Sequence, residues 1–205
     1  MATRRIREYL LGHKVSYGLI NHTCAFTAEE VAELARVPGR QMAKVVIVWL
    51  DGELAIVVVP ATKVVDMEKL QRETGAGEVL LADESDFRDR FSDCQVGTVP
   101  PFGNLFGVDT WLDRQLTALD QIAFNAGTHR DVMVVRYADY NRLVEPRIVD
   151  VAVEPSPDAL IAKSGGGRGR TRRADSRTQS DDTESDAAVQ MQCGCPISHH
   201  HAGSD

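Results

Sequence analysis

An α+β fold, built on a mixed and largely antiparallel sheet with helices packed against it, is what the sequence predicts. Three observations carry that prediction. Helix-like and strand-like segments alternate irregularly, which disfavours a doubly wound parallel sheet. Two apolar runs, 44–50 and 54–59, flank Asp51-Gly52 and read as a hairpin inside a sheet covered on both faces. After Pro155 large apolar residues almost vanish. Residues 1–155 therefore read as one folded domain, and residues 156–205 as a disordered low-complexity tail that cannot offset its ordering entropy.

From Thr3 to Leu11 apolar residues (Ile6, Leu10, Leu11, with Tyr9 beside them) recur at helical spacing, and Gly12 ends the run. A short strand is expected over 15–20. Thr27-Ala28-Glu29-Glu30 is a capping box, with Phe26 and Val31 spaced as a hydrophobic staple, and the helix it starts stops before Pro38. Beyond the hairpin, 66–73 reads as a helix closed by Gly75 and 78–81 as a strand. Asp83 is placed to cap a helix reaching Phe91. Residues 105–108, 121–125, 132–136 and 147–151 read as strands, and a short helix starts near Asp139.

Composition narrows the function. The chain has 205 residues, a formal net charge of −7 and an isoelectric point near 5.4, which argues against coating nucleic acid through a broad basic face. A protein that grips one RNA end in a small pocket remains compatible. No apolar run of about eighteen residues occurs, so no transmembrane helix is expected. The basic N-terminus leads into an amphipathic segment rather than a signal core, and the expected location is the cytoplasm. The four cysteines, Cys24, Cys94, Cys193 and Cys195, are not spaced as a disulfide framework.

Several residues carry candidate chemistry. Lys44 heads a buried strand on the face of Val46 and Val48. Either its ammonium has an anionic or carbonyl partner, or the side chain snorkels to water. Gly97-Thr98-Val99-Pro100-Pro101-Phe102-Gly103 is a stiff loop. It suits presenting free N–H groups to an oxyanion, and equally a rigid crossover. His129, after Asn125-Ala126-Gly127-Thr128 between two strands, is a candidate for positioning substrate or shuttling a proton, or is simply solvated. Asp109 is a candidate for a substrate amine or a cap for the segment 111–116. His22 stands near Cys24, but a nucleophilic pair there carries little weight. In the tail, Arg168 to Arg173 suits non-specific RNA contact or a solvated linker balanced by Asp181 to Asp186. Cys193, Cys195 and His199 to His201 could catch a soft metal only with an ordered scaffold.

In order, the chain shows His22 before a Thr-capped helix, then Lys44-Val45-Val46-Ile47-Val48 and Val57-Val58-Val59-Pro60-Ala61. Val65-Asp66-Met67-Glu68-Lys69-Leu70, the Gly97-x-x-x-Pro101 loop and Phe124-Asn125-Ala126-Gly127 come after them. Together, over about residues 15–150, these resemble the YbaK/EbsC family, the aminoacyl-tRNA deacylase domain also inserted in bacterial prolyl-tRNA synthetases. The resemblance implies a barrel-like, prolyl-tRNA editing-domain-like fold and a trans-acting hydrolase of mischarged tRNA, with tRNA-Pro-type substrates foremost. It implies Lys44, Gly97 and Pro101 as catalytic residues, with Lys44 against the tRNA terminus and the loop against the scissile ester. Thr98, Val99, Pro100, Phe102, Gly103 and Gly127 become substrate contacts, with His129 as an approximate match; Asp109 joins them on its own chemistry, as the candidate for a substrate amine. The loop wording differs from that of the cysteinyl- and alanyl-specific members, so the amino acid stays open.

An aminoacyl ester is already activated, so a site needs position and oxyanion stabilisation more than a nucleophile. No Ser–His–Asp set and no metal-ligand spacing appears in the domain, and neither cofactor nor metal is expected. The partners implied are the acceptor end of aminoacyl-tRNA and an aminoacyl-tRNA synthetase, with no membrane and no DNA. The alternative is a non-catalytic module that binds the tRNA end or a synthetase.

Overall fold

The amphipathic N-terminus forms α1 (Ala2–Gly12), which lays Ala2, Ile6 and Leu10 on the core at helical spacing. The structure is a computed structural model, and it describes residues 2–155 apart from Cys24 and Phe26. The Cys24 half of the histidine–cysteine pair, the Phe26 half of the staple and every reading of the tail lie outside the described residues.

β1 (Tyr17–Asn21) precedes α2 (Ala28–Leu34). The α2 capping box forms as expected, with Glu30 N–H donating to Thr27 Oγ1 at 3.2 Å and Thr27 N–H to Glu30 Oε2 at 3.3 Å. β2 (Met42–Leu50) and β3 (Glu53–Pro60) pair antiparallel around Asp51 (φ 49°) and Gly52 (φ 84°). Two successive positive φ values give the turn whose twist matches a hairpin. β4 (Val64–Val65) leads into α3 (Met67–Thr74), capped by Asp66 on Lys69 N–H at 3.0 Å and closed by Gly75 at φ 72°. β5 (Val79–Leu81) and α4 (Glu84–Phe87) come next, then α5 (Gly103–Phe106), β6 (Asp109–Asp113) and α6 (Arg114–Thr117). β7 (Gln121–Asn125), β8 (Asp131–Arg136), α7 (Tyr137–Val144), β9 (Arg147–Val149) and β10 (Ala152–Val153) complete the domain.

Three expectations are corrected. Residues 105–108 are not a strand: Gly103–Phe106 is a single helical turn ended by Gly107 at φ 66°. A four-residue apolar run has too little periodicity to separate the two. The helix expected to reach Phe91 stops at Phe87. The Asp86 carboxylate there accepts from Asp83 N–H at 2.8 Å and Trp49 Nε1 at 3.1 Å, fixing the turn against the sheet. The strand expected over 147–151 breaks at Asp150. Arg147–Val149 pairs with β6, whereas Ala152–Val153 pairs with β4. The buried Asp113 carboxylate draws the chain across by accepting from Val151 and Ala152 N–H at 2.9 and 2.7 Å.

The main sheet runs β1-β8-β7-β2-β3-β6-β9, with β5 added on β2. The β2–β7, β3–β6 and β6–β9 pairs are parallel and the others antiparallel. The parallel β2–β7 join is short: Met42 faces Ala123 and Ala43 faces Phe124. Further along the same edge, Val48, Trp49 and Leu50 pair with β5 instead. The edge of β2 is thus shared by two strands that diverge around Lys44 to Ile47. One sheet face packs an aromatic core of Phe102, Phe124 and Tyr140 with α1. The other carries two apolar clusters: Met42, Ala61, Ala123 and Val132 under α2, and Val48, Val57, Val59 and Leu70 under α3.

Candidate functional site

Lys44 is two residues past Met42 on β2, so both lie on the face covered by α2 and α3. There it stands at the seam between the two apolar clusters. Its ammonium donates to the Ala61 carbonyl at 3.1 Å, so the partner reading, rather than snorkelling alone, describes the side chain. On β7, Ala123 shares that face and Phe124 takes the other, so Asn125 returns to the face of Lys44. Lys44 and Asn125 are each one step past the last paired residues of the β2–β7 join. They occupy neighbouring strands about 4.8 Å apart where the strands begin to separate.

The Gly97–Gly103 loop is tied to the turn beyond Asn125. Gly127 N–H donates to the Thr98 carbonyl at 3.0 Å, and Gln95 N–H donates to the Gly127 carbonyl at 3.0 Å. The Gln95 side-chain oxygen accepts from His129 N–H at 2.7 Å. His129 Nδ1 lies 3.0 Å from the Ala25 carbonyl, which only accepts. A neutral ring therefore carries its proton on Nδ1 to make that bond. Lys44, the loop's first residues, Gly127 and His129 are thereby brought to one region by strand order and by these bonds.

Other residues named from the sequence face elsewhere. Thr98 is fully buried and spends its hydroxyl and its N–H on the Gln95 carbonyl, at 2.7 and 3.0 Å. Val99 turns into the core, and so does Phe102, stacked edge-on to Phe124 and Tyr140 with centroids 5.4 and 5.5 Å apart. Gly103 is a close-approach position, because a Cβ there would collide with Thr110 Oγ1 and the Val108 carbonyl. These four shape the loop from inside rather than touching a ligand through side chains. Asp109 is also displaced. It sits opposite Ala55, whereas Lys44 sits opposite Val59, so the two lie about 13 Å apart along the strands. Asp109 pairs with Arg147 at 3.3 Å, and the cap expected of it belongs to Asp113, which accepts from Gln115 N–H at 2.9 Å.

What remains for a ligand is mostly backbone. Prolines 100 and 101 have no N–H, and Phe102 N–H is used by the Pro100 carbonyl at 2.8 Å. The Pro101 carbonyl is held by the Tyr140 hydroxyl at 2.8 Å. Among the described residues the N–H groups of Gly97 and Val99 have no hydrogen-bond partner. Gly97 has φ 75° and open space where a Cβ would stand. Burial, helped by Asp93, pushes the Cys94 thiol up to about 12, which disfavours its thiolate. Among the described residues no group of three or more His, Cys, Asp or Glu is placed to hold a metal ion.

Asn125 is a neighbour of Lys44 that sequence reasoning does not single out. Its Oδ1 is buried without a hydrogen-bond partner, and strict alternation along β7 is the signal that could have found it.

Gly127 supports the arrangement. Its φ is 90°, and a Cβ would collide with that of Ala2. Gly127→Ala is expected to destabilise the domain by about 1–3 kcal/mol through strain and by more if α1 is displaced. Thermal unfolding tracked by circular dichroism checks this, and an unchanged midpoint would show that the turn adapts freely.

The chain is similar to known proteins. A family model described as the aminoacyl-tRNA editing domain matches residues 22–143. The Multifunctional Ser/Thr-tRNA deacylase ProXp-y of Escherichia coli strain K12 is 24% identical over 152 residues, covering 72% of this chain and 90% of that protein. A solved structure described as a proposed trans-editing enzyme for prolyl-tRNA synthetase superposes with a TM-score of 0.65 at 20% identity, over 74% of this chain and 97% of the other. The hypothetical protein APE2540 superposes with a TM-score of 0.66 at 20% identity, over 73% and 99%. These two likenesses establish the mixed α/β fold.

Proposed function

Because the chain belongs to the aminoacyl-tRNA editing domain family, we propose that it hydrolyses the ester of mischarged aminoacyl-tRNA, acting in trans, with tRNA-Pro-type substrates foremost. The observation that carries this reading is the tie between the Gly97–Pro101 loop and the Asn125–His129 turn, beside Lys44 where β2 and β7 part. The descriptions of both named relatives support ester hydrolysis on tRNA; that of the trans-editing enzyme names the prolyl system, whereas that of the deacylase names Ser/Thr-tRNA.

Each residue has a distinct task. Lys44, fixed by the Ala61 carbonyl, receives the anionic terminus of the tRNA. The N–H groups of Gly97 and Val99, preceding the stiff Pro100-Pro101 segment, are the donors offered to the oxyanion. Water adds to the ester carbonyl carbon. The bond to the ribose oxygen then breaks, and that oxygen takes up the proton the water gives up. The neighbouring ribose hydroxyl orients the water, and His129 helps to position the substrate. A synthetase that releases the mischarged tRNA is the expected protein partner, and the cytoplasm the expected location. No helix among the described residues is long and apolar enough to cross a membrane.

Single-turnover hydrolysis of Ala, Cys, Ser and Thr esters on tRNA-Pro tests the reading. Cleavage of at least one ester well above the buffer rate is expected. If a broad panel stays intact while tRNA binds in a salt-dependent way, the chain is a binding module for the tRNA end instead.

A further inference from the structure

Charge is spread unevenly over the domain. Residues 1–22 carry four Lys and Arg against one Asp or Glu, a net side-chain charge of +3. Residues 23–155 carry 13 against 22, a net charge of −9. Three of the four cations, Arg4, Arg5 and Arg7, lie exposed in the first two turns of α1. Helix formation does not call for them there, since a first turn gains from acidic rather than basic residues. Packing does not either, because Ala2, Ile6 and Leu10 make the core contacts. Arg4 Nε donates to Glu8 at 2.7 Å and Arg7 Nε to the Tyr17 hydroxyl at 3.0 Å. Neither bond uses the four N–H of the terminal amino groups. Arg5 is more engaged, donating to the Leu105 carbonyl with its guanidinium 5.1 Å from the Phe106 ring centroid. Arg4 and Arg7, three residues apart, share a face of the helix. The start of α1 is in turn bonded to the candidate site. Ala2 N–H donates to the Asp93 carbonyl at 3.2 Å, and the Thr3 hydroxyl donates at 2.6 Å to the carbonyl of Ala126, the residue before Gly127.

We propose that the face of α1 carrying Arg4 and Arg7 is a docking surface for the phosphate backbone of RNA, and holds the acceptor stem of the tRNA whose charged end enters the site. The inference deepens the reading above and rests on its ligand, tRNA. A domain of net negative charge repels a polyanion except where a local positive patch meets it, and α1 is that patch. A guanidinium fork pairs two phosphate oxygens at once. The Arg4–Glu8 pair is exposed and worth little in water, so a phosphate displaces Glu8 at small cost. An anionic membrane fits less well. A helix lying on a membrane needs its apolar side free, and that side of α1 is spent on the core. Phosphate contacts carry no sequence information, so this surface supplies affinity and register while the site supplies selection.

Arg4→Gln combined with Arg7→Gln is expected to weaken binding of deacylated tRNA-Pro at least about tenfold at low salt, and to lower the slope of log Kd against log salt by about one per arginine. Each single substitution is expected to give about half of that slope change, so either alone decides if the pair fails to fold. Arg72→Gln combined with Arg114→Gln, on α3 and α6, changes the charge equally and is expected to alter neither quantity. Turnover separates the surface from the site. Whichever ester of the panel above wild type cleaves fastest is placed on full tRNA-Pro and on free adenosine, which has no phosphate. The Arg4 and Arg7 double variant is expected to raise KM at least about tenfold on the tRNA ester with kcat unchanged, and to match wild type on the adenosine ester. Unchanged tRNA binding, equal weakening in the α3 and α6 control, or equal loss on both esters overturns the role of α1 and leaves the deacylase reading intact. A double variant that loses only binding to phosphatidylserine vesicles assigns the face to a membrane and overturns it too. Wild type that cleaves no ester overturns the deacylase reading instead, while the binding measurement still decides the role of α1.

Discussion

Lys44→Ala is expected to slow single-turnover deacylation by about a hundredfold or more, with thermal stability little changed. The two halves of that expectation come from the same placement. The ammonium stands between two apolar clusters and donates to the Ala61 carbonyl, so its removal takes a charge away from an apolar seam and leaves that carbonyl to find water. Removing a partly buried charge is often neutral for folding when the space is refilled by apolar atoms. Lys44→Met keeps the stem and fills the seam. It is expected to be at least as stable as wild type and as inactive as the alanine variant. Rapid-quench measurement of ester cleavage, paired with a melting curve, separates the outcomes. A Lys44→Met variant that cleaves at the wild-type rate would remove this lysine from the mechanism, whatever its stability.

Asp113→Ala is expected to cost about 3 kcal/mol or more in stability and to lower the melting midpoint by about 6–12 °C. The carboxylate is fully buried and accepts three N–H groups, from Gln115, Val151 and Ala152. It therefore starts α6 and also moves the chain from β9 to β10. Alanine leaves those donors without their acceptor, two of them in bonds that are buried. Asp113→Asn retains one carboxamide oxygen and is expected to fall between the two. Urea unfolding at fixed pH measures the differences. A midpoint within experimental error of wild type would mean that water replaces the carboxylate and that the chain crossing is held by packing alone.

Local chemistry made much of the fold legible. Thr27 and Glu30, Asp66 and Gly75, and the Asp51-Gly52 turn each encode an element boundary within a few residues, and each boundary forms at those residues. The errors arose where the deciding contact is distant. Nothing within five residues of Asp150 reports that Asp113 will capture the next two amides. A cap is as plausible at Asp109 as at Asp113 because both aspartates flank the same apolar segment, and only the pairing of β6 with β3 distinguishes them. The site divides in the same way. Lys44 and the Gly-x-x-x-Pro loop could be named from the chain, but the inward turn of Val99 and Phe102 results from an aromatic core contributed by β7 and α7. Asn125 was invisible as a neighbour of Lys44 because that adjacency is created by strand order, across about eighty residues of chain.

The short parallel join between β2 and β7 also has a consequence during synthesis. Lys44 leaves the ribosome long before Asn125 and His129, and the strand that sets them beside it cannot pair until β7 has emerged. β8 must then emerge too, since β7 is held antiparallel to it along its whole length. A nascent chain ending between the loop and about residue 136 therefore has a lysine and a proline loop that β7 has not yet brought together. The growing polypeptide is surrounded by charged tRNA throughout translation, and on the proposed reading the residues that would meet that tRNA come together only once β7 and β8 are paired.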